Sequence, residues 1–174
     1  MRLQNKRIAV LVEEGFEDLE FWVTVMRLRE EGAQVTIVGT KANHTVKGKN
    51  ALTATSEVAA SAVSADDFDA VVVPGGWAPD KLRRYPEVTG LVRRAYEQKK
   101  IVGLICHAGL VGISAGIVRG HRATGSKGLK DDLINAGAEW VDEPAFRDGN
   151  LVWGRVVEDI PDFCRELVTA IEAG

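Results

Sequence analysis

Apolar residues recur along the chain in two rhythms, as short unbroken runs and as longer stretches in which they return every three or four positions. The runs RIAVLV (7–12), QVTIVG (34–39), DAVVVPGG (69–76), IVGLI (101–105) and NLVWGRVV (150–157) predict strands, because a parallel strand buried on both faces has no polar side to show. Between them FEDLEFWVTVMRLREEG (16–32), EVTGLVRRAYEQKK (87–100), HAGLVGISAGI (107–117), GLKDDLINAG (128–137) and DIPDFCRELVTAIEA (159–173) carry helical spacing. The first of these closes at Gly32, a plausible C-cap. The stretch 43–57, with its Gly, Thr and Asn content, predicts a β excursion. Strand alternating with helix predicts an α/β domain whose mostly parallel sheet is covered on both faces, with any site beyond the carboxyl ends of the strands. Two loops fall there: PGGW (74–77) and CHAG (106–109).

The first helix has more apolar surface than one sheet contact needs. At about 100° per residue, Leu19, Trp22, Val23 and Met26 share one stripe, expected to face the sheet. Phe21, Val25 and Leu28 form a second stripe on nearly the opposite side, expected to be covered by a second copy of the chain or by the 43–57 excursion.

Composition narrows the function. The 174 residues make about one domain, and no repeat or low-complexity linker divides them. Lys and Arg number 22 against 25 Asp and Glu, a formal charge of -3, without a basic block suited to nucleic acid or an anionic membrane. No apolar run approaches the roughly 20 residues that span a bilayer, and the first dozen residues lack a cleavable leader pattern, so a cytoplasmic location is expected. Cys106 and Cys164 are then expected as free thiols. No repeated Cys/His spacing points to a metal, and no cofactor motif stands out.

Cys106 is the focus of the chemistry. It follows a strand and opens a helix, where unpaired N–H groups and the positive end of the helix dipole favour a thiolate, the nucleophilic form. The same N–H groups, with the Gly75-Gly76 turn, offer donors for an oxyanion. The alternative is an inert cysteine in the core, which is how Cys164, beside Phe163 and Leu167, is read. Gly112-Ile113-Ser114-Ala115-Gly116 matches the serine-hydrolase pattern, yet Ser114 falls inside a helix rather than on the strand-to-helix turn that pattern requires. His44, His121 and the Asp131-Asp132 pair read as solvated surface groups.

Taken together, RIAVLVEEGFEDLEF, VVVPGGWAPDKLR, GLICHAGLVGISAGIVRG and GLKDDLINAGAEWVD with the later DGNLV resemble the PfpI family, the intracellular protease I branch of the superfamily of the parkinsonism-associated deglycase. The likeness runs over nearly the whole chain. It implies a flavodoxin-like three-layer sandwich over residues 1–174, with Cys106 as nucleophile and His107 as its neighbour and candidate base. It implies Glu17 as the carboxylate bonded to the thiol, and Gly76 with the N–H of His107 as the oxyanion hole. Dimers, or hexamers built from dimers, are implied as well. Asp80 stands where proteolytic members use a longer Glu to orient the histidine from a neighbouring subunit; Ala108-Gly109 and Gly154-Arg155 depart from the family's usual Gly-Pro and Ser-Arg.

Three functions fit that resemblance. One is a cysteine enzyme acting on small carbonyls such as methylglyoxal, their protein adducts, or amides. Another is a redox-sensing or chaperone-like stress protein whose Cys106 oxidises without turnover. The third is an intracellular cysteine peptidase. A glutaminase triad is excluded, because it needs a histidine well downstream of the nucleophile and His121, fifteen residues on, is the last one.

Overall fold

The computed structural model describes all residues from Met1 to Gly174. The chain opens with β1 (Arg7–Leu11), α1 (Asp18–Glu30) and β2 (Gln34–Gly39), followed by a hairpin of β3 (His44–Lys47) and β4 (Thr53–Ser56) and a short β5 (Val58–Ala59). The middle consists of β6 (Ala70–Val73), α2 (Ala78–Leu82), α3 (Pro86–Glu97), β7 (Ile101–Ile105) and α4 (Gly109–Ala115). It is completed by β8 (Arg122–Ala123), α5 (Lys130–Asn135), β9 (Glu139–Trp140), β10 (Ala145–Asp148), β11 (Leu151–Gly154) and α6 (Ile160–Ala173).

Seven strands form one sheet in the order β10-β11-β7-β6-β1-β2-β5, parallel throughout except where β10 turns back on β11. Every residue of β6 and β7 is buried, which is why both read as unbroken apolar runs. Helix α1 packs on α6 and α3 packs on α4, giving the flavodoxin-like sandwich of three layers. Strand β1 has β2 on one side and β6 on the other, with Ile8 opposite Val35 and Ala70. The chain order reverses there, so the crevice beyond the carboxyl ends of β1 and β6 is where this architecture places ligands.

The elements are shorter than the apolar runs that predicted them. The run 69–76 stops pairing at Val73, because Pro74 has no N–H to offer the ladder. The run 150–157 stops at Gly154, and Arg155 turns out to pair with Asp142 and Asp159 at 3.1 and 2.8 Å. Helix α2 lies between the PGGW loop and the helix predicted at 87–100, in a stretch for which the pattern predicted no element.

The structure reverses the two stripes of α1. Phe21, Val25 and Leu28 are buried against the sheet, whereas Leu19, Val23 and Met26 are 47, 40 and 60% exposed. Hydropathy alone does not separate two apolar stripes; the first turn does. Asp18 is buried and its carboxylate accepts the backbone N–H groups of Asn50 and Leu52 at 2.9 and 2.8 Å, which ties the helix start to the β3–β4 hairpin and fixes its rotation. Trp22 lies on the flank, its Nε1–H donating to the Thr53 carbonyl at 3.2 Å, so the hairpin covers the side of α1 and leaves its outer face open.

This orientation predicts that Leu28→Ala destabilises the dilute chain by about 2–5 kcal/mol in urea unfolding, the cost of a cavity in the core. Met26→Glu, on the outer face, changes the same midpoint by no more than about 0.5 kcal/mol. The opposite ranking would return the sheet contact to the Leu19 stripe.

Candidate active site

The loops after β1, β6 and β7 meet at the crevice. Cys106 follows the extended Ile105 directly and takes φ +61°, a left-handed conformation costly for a residue with a side chain, by about 1–3 kcal/mol. Its carbonyl accepts the Ser126 N–H at 3.2 Å. The chain therefore turns sharply under the thiol and continues into α4, holding the sulfur at the helix start.

The loops around residues 13–17 and 74–77 are joined by backbone bonds: Glu17 N–H to the Gly75 carbonyl at 3.1 Å and Trp77 N–H to the Gly15 carbonyl at 2.8 Å. Gly75 sits between α1 and the thiol. A Cβ there would lie 2.5 Å from Glu20 Oε1 and 2.8 Å from the Cys106 Cβ, so only glycine fits. Its N–H donates to Glu20 Oε1 at 2.8 Å.

The carboxylate against Cys106 is accordingly Glu20, and the expectation for Glu17 is corrected. Glu17 caps α1, its Oε2 accepting the Glu20 N–H at 2.8 Å. One helical turn later Glu20 lies on the buried stripe, fully inaccessible to solvent, and its side chain reaches the thiol. Its Oε2 is buried and makes no hydrogen bond. Burial pushes the Glu20 carboxyl up to about 7, with the Glu17 charge adding to the effect and the Gly75 N–H, the thiol and Lys49 opposing it. Burial pushes the Cys106 thiol up as well, to about 12, reinforced by the Glu20 charge and only partly opposed by the N–H groups of His107 and Gly76, so the thiolate expected from the helix start is corrected to a protonated thiol that needs a base. Two groups that each resist losing a proton beside the other titrate as a pair, and between those limits they hold one proton in common.

His107 is half-buried with Nδ1 3.3 Å from the Cys106 sulfur. Burial and then the charge of Lys49 lower its pKa, so the imidazole is neutral at physiological pH and able to accept a proton. His107 lines an open cavity of about 390 Å³ together with Lys49, Gly76, Trp77, Asp80, Lys81 and Leu110. Asp80 thus shares the cavity of its own chain's histidine, but its carboxylate is engaged by Arg84 at 2.5 Å and makes no hydrogen bond to the imidazole.

Other candidates lie elsewhere. Ser114 is inside α4 and accepts the Arg83 Nε–H at 2.8 Å, as its helical position required. Cys164 is buried 3.8 Å from the Thr24 hydroxyl, and His44 is exposed. His121 is not the solvated group expected: its Nε2 and Nδ1 engage the Tyr96 hydroxyl at 2.7 Å and Asp148 at 3.0 Å, joining the end of α3 to the β10–β11 hairpin. No group of His, Cys, Asp and Glu is arranged to hold a metal ion, and no helix is long and apolar enough to cross a membrane.

Residues 6–170 match the model of the DJ-1/PfpI family. A protein named a deglycase from Pyrococcus abyssi is 38% identical over 166 residues, covering 95% of this chain and 99% of the relative. The DJ-1/ThiJ/PfpI-like part of a two-domain protein from Anabaena variabilis, which also has a ferritin-like domain, superposes with a TM-score of 0.93 at 37% identity; the match covers 95% of this chain and 48% of that one. Drosophila melanogaster DJ-1beta superposes with a TM-score of 0.90 at 26% identity, over 97% of this chain and 91% of the other.

Proton sharing has a kinetic signature. As pH rises through about 7 the pair loses the first of its two protons, the Glu20 charge that appears raises the thiol, and the climb of the Cys106 alkylation rate with pH should flatten there before resuming toward the thiol's own range. Glu20→Gln should remove that step and leave a single rise from the thiol alone. A wild-type profile that Glu20→Gln does not alter would separate the two groups.

Proposed function

Because the chain belongs to the DJ-1/PfpI family, we propose that it is a cysteine-nucleophile enzyme acting on small reactive carbonyls, such as methylglyoxal, and on the adducts they form with proteins. The observation that supports this reading is the convergence of three groups on one sulfur: the Glu20 carboxyl, the Nδ1 of His107, and the N–H groups of His107 and Gly76. The open cavity that His107 and Gly76 line adjoins them and suits a short electrophile.

The chemistry follows from the placement. The Cys106 thiolate adds to the aldehyde carbon, forming a C–S bond, and the carbonyl π pair moves to oxygen. The N–H groups of His107 and Gly76, which lie beside the sulfur, hold that oxyanion until it takes the proton that Glu20 accepted from the thiol. Neutral His107 then moves a proton from the former aldehyde carbon to the neighbouring ketone carbon by way of an enediol. The first carbon becomes a thioester and the second an alcohol. Water cleaves the thioester to a hydroxy acid and restores the thiol, so water is the only co-reactant. With a hemiaminal adduct the thiolate attacks the carbon that bears the amine, a C–S bond forms as the C–N bond breaks, and the amine leaves with the proton held by Glu20, which frees the modified side chain.

We infer in addition that the open face of α1, with Leu19, Val23 and Met26 exposed, seats a second copy of the chain. That site adjoins the machinery, because the opposite face of the same helix carries Glu20. Val23→Glu combined with Met26→Glu should sediment as a monomer, and a wild-type monomer at micromolar concentration would overturn the assignment.

The activity test is methylglyoxal consumption by the purified protein, with hydroxy-acid formation and peptide cleavage followed in parallel. Cys106→Ser should lower kcat/KM by about a thousandfold or more, the scale for removing a nucleophile. His107→Ala should cost about a hundredfold. Cys164→Ser should leave the rate unchanged. Peptide cleavage that depends on Cys106 without any aldehyde turnover would replace this reading with a peptidase.

A further inference from the structure

The wall of the cavity facing His107 is built around a cation that the chemistry above does not use. Lys49 lies in the turn of the β3–β4 hairpin, and that turn is pinned at three points. Its N–H donates to the Phe16 carbonyl at 2.9 Å, and the following N–H groups of Asn50 and Leu52 are held by the Asp18 carboxylate. Gly48 backs directly onto that carboxylate, where a Cβ would lie 2.4 Å from Oδ1. A lysine on a free loop samples a wide volume; this one is anchored from a buried residue of α1.

The Lys49 ammonium sits 5.4 Å from the centre of the ring of Trp77, a cavity-lining residue that is 61% exposed. Its charge is felt by both Glu20 and His107, the two groups that handle protons at Cys106. Of the ionisable groups lining the cavity, Lys49 and Lys81 are cationic and Asp80 is anionic, and Asp80 is already paired with Arg84. The chain as a whole is at -3, so the mouth carries the opposite sign to the molecule around it. A cation fixed over an exposed indole beside a nucleophile is a receptor for a short molecule with an anionic end.

Resting on the assignment of Cys106 as the nucleophile, we infer that Lys49 determines which electrophiles the site binds, and that the tightest of them carries a carboxylate next to its aldehyde, the 2-oxo acid class. Such an acid is held on Cys106 as a reversible hemithioacetal, because a carboxylate cannot take up the proton that His107 moves in the dicarbonyls. Lys49 receives the carboxylate, the Trp77 face covers the carbon skeleton, and the carbonyl carbon is presented to the Cys106 sulfur. Neutral dicarbonyls lack the group that Lys49 recognises and are taken less well.

Alkylation tests this without requiring turnover. Iodoacetate and iodoacetamide deliver the same two-carbon electrophile with and without a negative charge, and each forms a C–S bond to Cys106 with loss of iodide. The ratio of their rate constants at Cys106, divided by the ratio for a small free thiol at the same thiolate fraction, should exceed one. Lys49→Met should lower that quotient by about fivefold to tenfold at low salt, and Lys49→Arg should retain it. Glyoxylate should protect Cys106 from iodoacetamide better than glyoxal does in the wild type, and lose that advantage in Lys49→Met. A quotient that Lys49→Met leaves unchanged, or equal protection by the two aldehydes in the wild type, overturns the assignment. Charge discrimination without aldehyde turnover would uphold the anion site and overturn the carbonyl-enzyme reading instead.

Discussion

The missing side chain at Gly75 is the constraint on which the rest of the site depends. It lets Glu20 and Cys106 approach through the space a methyl group would fill, its N–H fixes one oxygen of Glu20, and its carbonyl accepts the Glu17 N–H that begins α1. A strand end, a helix start and a nucleophile are thus joined through one residue. The approach is electrostatically unfavourable for two anions, and a proton held between them relieves it. Burial is costly for a charged carboxylate, yet here it produces a carboxyl group that still carries a proton near neutral pH.

The strain at Cys106 belongs to the same arrangement. A left-handed residue between an extended strand and a helical turn points its side chain out of the sheet and toward the crevice, with the N–H of His107 beneath it. The position is tolerated because β7 is central and fully buried, and its neighbours β6 and β11 over-determine its path. A rigid core thereby supports one unfavourable conformation where the chemistry needs it.

The strand runs, the alternation with helices and the thiol at the end of IVGLI were legible in the sequence because they are local: a few consecutive residues carry each signal. Gly76 and His107 were legible for the same reason, lying in the loops at the carboxyl ends of strands. The identity of the carboxylate was not local. Glu17 and Glu20 are one turn apart on α1, and which of them points at the sheet depends on the rotation of the helix, set by Asp18 bonding to a turn more than thirty residues away. Reading the Leu19 stripe as the buried one turned the helix the wrong way and left Glu20 unconsidered; a charged residue amid Phe21, Thr24, Val25 and Leu28 was the available clue. Lys49 and the Tyr96–His121–Asp148 contacts were invisible for a similar reason, since each joins segments far apart in sequence.

Whether Glu20 and Cys106 hold one proton in common is read from the carboxyl carbon of Glu20, followed by NMR on protein labelled with ¹³C at glutamate side chains. In the wild type that resonance should titrate with a midpoint near 7, and Cys106→Ser should shift the midpoint because the partner of the shared proton is gone. A Glu20 carboxyl that titrates near the ordinary 4.5 in both proteins would contradict the account.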